Sequence, residues 1–86
     1  MNKRCFKLFK KAKNNPKGFR FSELQRLCVC VDMGHDRTAG SHFIYKRKIP
    51  PPFTLSIQEM KDGKAKPYQV NELIDFIEEY DLAREE

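Results

Sequence analysis

The segment Arg37-Thr38-Ala39-Gly40-Ser41-His42-Phe43-Ile44-Tyr45-Lys46 sets the pair Ala39-Gly40 between two short runs whose side chains can alternate in and out. It reads as a β-hairpin. A two-residue loop at Ala39-Gly40 would put Thr38 opposite Ser41 and Arg37 opposite His42, with a guanidinium beside an imidazole on one sheet face.

Working downstream, Arg47-Lys48-Ile49-Pro50-Pro51-Pro52 lacks ladder donors at three successive positions and reads as a stiff, extended connection. Phe53-Thr54-Leu55-Ser56-Ile57 then alternates strictly, which marks a strand with one face buried and Thr54 and Ser56 on the wet one. By the same alternation Phe43 and Tyr45 turn inward in the preceding strand, leaving His42, Lys46 and the neighbouring Arg37 facing solvent together. Lys61-Asp62-Gly63-Lys64 is a turn, and Pro67 suits the first position of a last helix. Val70, Leu73, Ile74 and Ile77 form that helix's apolar stripe, with Glu72, Asp75, Glu78, Glu79 and Asp81 on the other side.

Upstream, Ser22-Glu23-Leu24-Gln25 carries a capping-box signature and predicts a helix from Ser22 through about Val31, buried through Phe21, Leu24, Leu27, Cys28 and Val31. The run 27–31 also suits a strand, and periodicity alone does not separate the two. Asn14-Asn15-Pro16-Lys17-Gly18 is a loop. Before it, residues 2–13 form an amphipathic basic helix with Cys5, Phe6, Leu8, Phe9 and Ala12 at helical spacing. Such a helix can dock on a core, face nucleic acid or lie on a membrane surface.

The order helix, helix, three antiparallel strands, helix makes an α+β fold whose helices cover one face of the sheet. Eighty-six residues suffice for one domain, 1–86, with 1–18 as an extra basic helix and linker and 19–82 as the core. The net charge of +5 is unevenly spread. Met1 to Arg20 holds eight basic residues and no acid, whereas Gln69 to Glu86 holds seven acids and one arginine. A basic end suits phosphates, or is a solvated face. Three cysteines make no dense disulfide framework, so a reducing cytoplasm is the simpler expectation. No apolar run is long enough to span a membrane, and the chain is expected to be soluble and uncleaved. Cys28 and Cys30 do not have the spacing of a zinc pair and read as buried small side chains, so neither metal nor cofactor is expected.

A neutral imidazole can take the proton of a ribose 2′-hydroxyl, after which the alkoxide attacks the adjacent phosphorus and cuts RNA without metal. The charge developing at phosphorus needs cations, for which Arg37, Lys46, Arg47 and Lys48 are the candidates. His35, two residues from Arg37, is a candidate second proton carrier. The bland alternative is that His42 is a polar residue on a wet strand.

Phe21-Ser22-Glu23-Leu24, the stretch from Arg37 to Tyr45 with its Gly40-Ser41-His42 core, Phe53-Thr54-Leu55, and Lys66-Pro67-Tyr68-Gln69-Val70 occur in an order and spacing that resemble the HicA family of toxins from prokaryotic toxin–antitoxin systems. The resemblance runs from Phe21 to Tyr80, about 60 of 86 residues. It implies a double-stranded-RNA-binding-like α-β-β-β-α fold, messenger-RNA cleavage by His42 in a stress response, and neutralisation by a HicB-type antitoxin. It further implies that Gly40 permits the tight turn and that Ser41 helps position the histidine or the phosphate. Two other functions compete: a non-catalytic RNA-binding module of the same fold, and a DNA-binding or adaptor protein acting through the first helix.

Overall fold

The computed structural model describes residues 1–84. Helix α1 spans Lys3–Asn14 and is followed by a 3₁₀ turn, Pro16–Gly18; α2 spans Phe21–Cys30, and strands β1 (Met33–Ala39), β2 (His42–Arg47) and β3 (Phe53–Gln58) precede α3 (Pro67–Glu79). The strands form one antiparallel sheet in the order β1-β2-β3. This is the α+β arrangement expected from the alternation in β3 and the helical stripes on either side of the hairpin.

α1 begins where the Asn2 side chain accepts the Cys5 N–H at 2.8 Å, and Lys11 and Lys13 sit in its last turn, where cations oppose the helix dipole. α2 starts one residue earlier than its sequence suggests. Residues 19–21 are tied to the turn at 63–65 by Phe21 N–H to the Gly63 carbonyl at 3.0 Å and Ala65 N–H to the Phe19 carbonyl at 2.9 Å. Arg20 therefore becomes the capping residue, and its N–H donates to the Glu23 carboxylate at 3.0 Å while Ser22 stays exposed. At the other end of the helix Asp32 adopts a left-handed backbone, φ 63°, and turns the chain into β1. α3 starts at Pro67 as its sequence predicts, and Val70, Leu73, Ile74 and Ile77 are all buried.

The core lies between the helices and one face of the sheet. Leu24, Leu27 and Cys28 from α2, Tyr45, Leu55 and Ile57 from the strands, and the α3 stripe fill it. Phe21 meets Phe43 edge-on at 5.3 Å, and Phe53 stacks on Phe76 at 4.1 Å, so each end of the sheet is tied to its own helix. α1 is not peripheral to this core. Its Leu8, Phe9 and Ala12 are buried within the same cluster, each large side chain contributing about 1.5–3 kcal/mol on burial.

Two expectations are corrected here. Arg47 belongs to β2 rather than to the proline connection, and it is buried. The expectation of reduced cysteines holds only for Cys28, because Cys5 in α1 and Cys30 at the end of α2 form a disulfide, with a Cα–Cα separation of 5.7 Å. In sequence the two lie 25 residues apart, and only the docking of α1 on α2 brings them together. Burial pushes the Cys28 thiol up to about 12, so it is not a thiolate able to attack that bond.

Closing a loop of this length restricts the unfolded chain by about 3 kcal/mol. Thermal melting with and without a reductant should therefore differ by roughly 10 °C or more, with the reduced protein the less stable. Coincident melts would show that the bond contributes nothing to the fold.

Candidate functional site on the open sheet face

The hairpin loop is Gly40-Ser41, one residue later than Ala39-Gly40. Ala39 pairs with His42 and Thr38 with Phe43, so the expected Thr38–Ser41 and Arg37–His42 pairs do not form. The reason is backbone chemistry. Gly40 takes φ +63° at the first central position, the one that type II′ hairpins reserve for glycine, whereas a loop at Ala39-Gly40 would put an alanine there.

A second irregularity follows in β1. His35 pairs with Tyr45 and Arg37 with Ile44, which leaves Asp36 as an extra residue, a β-bulge. The bulge reverses the alternation. On the near side of it His35 faces the helices, with its ring 5.8 Å from Phe43 and 5.6 Å from Tyr45 and its Nε2 2.9 Å from the Thr38 hydroxyl. Beyond it Arg37 shares the open face with Ile44. His35 and Arg37, two residues apart, therefore lie on opposite faces, and His35 is no partner for His42.

The open face is built by His42, Ile44 and Lys46 of β2, opposite Gln58, Ser56 and Thr54 of β3. His42 is exposed, and its Nδ1 lies 3.2 Å from the Ser56 hydroxyl. With Nδ1–H donating to Ser56, Nε2 keeps the ring's lone pair and can accept a proton. Arg37 is a diagonal neighbour of His42 rather than its direct partner. Its guanidinium donates to Asp36 at 3.0 Å, and Lys46 lies 3.6 Å from the same carboxylate. Slight desolvation raises the Asp36 carboxyl, but Lys46 and Arg37 together hold it below the usual carboxylate range. Asp36 thus neutralises part of the cationic patch that the sequence suggests.

The Ser41 hydroxyl is hydrogen-bonded to Gln58 rather than to the imidazole. It accepts from Gln58 Nε2 at 2.6 Å, and Gln58 Oε1 in turn accepts from Lys66 Nζ at 2.6 Å. The Gln58 backbone N–H donates at 2.9 Å to Gln69, a buried side chain of α3. Gln58, directly across from His42, thereby ties the hairpin tip to the start of α3 and brings the Lys66 ammonium to the rim of the face. Ser56 was placed on the wet face by its alternation but not linked to His42, and Gln58 and Lys66 were missed. The i, i+2 alternation of β3 continued one step further would have found Gln58, while Lys66 is signalled only by its place just before Pro67.

Of the remaining candidates, Lys48 is exposed in the loop after β2. Arg47 is turned the other way. Its guanidinium donates to the carbonyls of Val31 at 2.9 Å, Ile49 at 3.1 Å and Pro51 at 2.8 Å, and lies 6.0 Å from the Phe76 ring. It closes the end of α2 and the proline loop, and leaves the phosphate-binding set. Among the described residues no three His, Cys, Asp or Glu side chains come together to hold a metal ion. No helix among them is long and apolar enough to cross a membrane. No family model, curated protein or solved structure matches the chain.

Gly34 and Gly40 distinguish conformational strain from steric space, because a Cβ at either would meet nothing within 4 Å, and only Gly40 has positive φ. Gly40→Ala should cost about 1–2 kcal/mol in urea unfolding, whereas Gly34→Ala should be neutral or slightly stabilising. Equal effects would contradict the loop position that sets His42 across from Ala39.

Proposed function

We propose that this chain is a HicA-like toxin, a metal-independent endoribonuclease that cleaves messenger RNA, with His42 as the proton acceptor. The observation that carries the reading is the exposed His42 imidazole on a wet sheet face, with Nδ1 within hydrogen-bond distance of Ser56, which leaves Nε2 to accept a proton. In this reaction Nε2 takes the ribose 2′-hydroxyl proton, the O2′–P bond forms, and the P–O5′ bond breaks, with the departing 5′-oxygen protonated by water. Lys66 at the rim, with Arg37 and Lys46 sharing Asp36, would oppose the charge that builds at phosphorus. Gly40 and Ser41 contribute by shape, the one through its backbone and the other through its bond to Gln58.

The resemblance in the Gly40-Ser41-His42 stretch and around Lys66-Pro67-Tyr68 adds the biological setting: a cytoplasmic toxin of a stress response, held inactive by a HicB-type antitoxin over the histidine-bearing face. A reducing cytoplasm would open the Cys5–Cys30 bond, so the docking of α1 there rests on Leu8, Phe9 and Ala12. A second reading, the non-catalytic RNA-binding module, is favoured by two observations: Asp36 offsets Arg37 and Lys46, and no second histidine shares the open face.

Cleavage assays separate the two. His42→Ala should lower RNA cleavage by at least about 100-fold and abolish growth arrest, while leaving the far-UV circular dichroism unchanged. Undiminished cleavage by the folded variant would remove His42 from the chemistry, and wild-type protein that binds RNA without cutting it would favour the binding module.

A further inference from the structure

The helical side of the molecule carries a second concentration of positive charge. α1 and α2 meet along an open groove of about 490 Å³, lined by Arg4, Lys7 and Lys11 of α1 and Arg26 of α2, with the Cys5–Cys30 disulfide in its wall. Arg4, Lys7 and Lys11 stand at i, i+3 and i+7, so one side of the helix presents all three. Against these four cations the groove holds one carboxylate, Glu23. That carboxylate is already used, by Lys11 Nζ at 2.5 Å and the Arg20 N–H at 3.0 Å. Desolvation raises the Glu23 carboxyl, but these two donors, with the charges of Lys11 and the nearby Arg26, outweigh it and hold the group below its ordinary range. Arg4, Lys7 and Arg26 form no ion pair among the described residues. The other flank of α1 differs, since Lys13 is paired with Glu78 of α3 at 2.6 Å.

We propose that this groove binds the phosphodiester backbone of RNA, as a contact separate from the His42 face. Two guanidinium groups suit it to phosphate, because each can offer two parallel N–H donors to one phosphate group. A membrane surface is a poor match, because an interfacial helix must insert its apolar face and here Leu8, Phe9 and Ala12 are spent in the core. The choice of RNA among polyanions rests on the nuclease reading above, whereas the excess of cations does not. Such a contact would give long transcripts an affinity that a short substrate, reaching only the His42 face, lacks.

The test compares two charge-matched triple variants, Arg4→Gln/Lys7→Gln/Arg26→Gln in the groove and Lys10→Gln/Lys13→Gln/Lys17→Gln outside it. Binding of a long single-stranded RNA is measured in the His42→Ala background across a salt series, and cleavage of a dinucleotide in the His42 background. The groove variant should bind the long RNA about tenfold or more weakly, with the slope of log affinity against log salt shallower by about 2, while its dinucleotide cleavage and circular dichroism are unchanged. The outer variant should change affinity far less. Equal losses in both variants, or an unchanged affinity and slope in the groove variant, would overturn the proposal, as would loss of binding to anionic phospholipid vesicles with RNA binding retained. Groove-dependent binding without cleavage by any form would leave this contact standing and reject the nuclease, whereas His42-dependent cleavage with groove-independent binding would do the reverse.

Discussion

Asp36 is one residue more than the β1–β2 ladder can pair, and the arrangement of the open face depends on where that surplus goes. Without the bulge, alternation would place His35 and Arg37 on one side and turn the hairpin tip over with them. With it, His35 packs against Phe43 and Tyr45 over the helices, while Arg37 crosses to the face that carries His42. The bulge residue itself then answers both Arg37 and Lys46. Position and electrostatics of the site therefore share one local cause. The glycine-led turn supplies the other constraint, since it decides which β1 residue each β2 side chain stands opposite and sets His42 across from Ala39 rather than Arg37.

The packing behind the sheet explains how so small a chain holds this face steady. α1 adds Leu8, Phe9 and Ala12 to a core that α2, α3 and the sheet would otherwise leave open on one side. Its lysines do two things at once: Lys11 and Lys13 anchor it to Glu23 and Glu78, and the remaining cations stay available at the surface. The exposed Lys13–Glu78 pair adds little stability, and Lys11 reaches the buried Glu23 carboxylate from the surface, so the docking is chiefly a matter of apolar burial with charge setting orientation. From the other side, Gln69 of α3 reaches the end of β3, and Gln58 carries that connection to the hairpin tip. The two histidine-bearing strands are thus held from the helical layer and from the rim.

Much of this was legible in the chain because one residue type or period dominated locally. The strict alternation of residues 53–57 has one sensible burial, Pro67 can begin a helix but not continue one, and the paired apolar stripes of α2 and α3 have to meet a sheet. Bulges are different: nothing in Gly34-His35-Asp36-Arg37 announces which residue will be left unpaired, because the choice is made by how β1 must join α2 and the turn simultaneously. Arg47 was misread because a basic residue beside three prolines looks like a surface loop, whereas the carbonyls of Val31, Ile49 and Pro51 draw it inward. The Cys5–Cys30 bond was out of reach for a related reason, since the cysteines become neighbours only after α1 docks. Lys66 joins the site through Gln58, a contact set by tertiary structure rather than by sequence distance.

These features converge on a face where an imidazole held at one nitrogen can withdraw a proton with the other. Cleavage by the proposed mechanism would leave a signature in its product. End-group analysis of RNA cut by the purified protein in the presence of a metal chelator should find 2′,3′-cyclic phosphates facing 5′-hydroxyls. Products ending in free 3′-hydroxyls, or cleavage that stops when metal is removed, would contradict a reaction driven by His42 and the ribose hydroxyl.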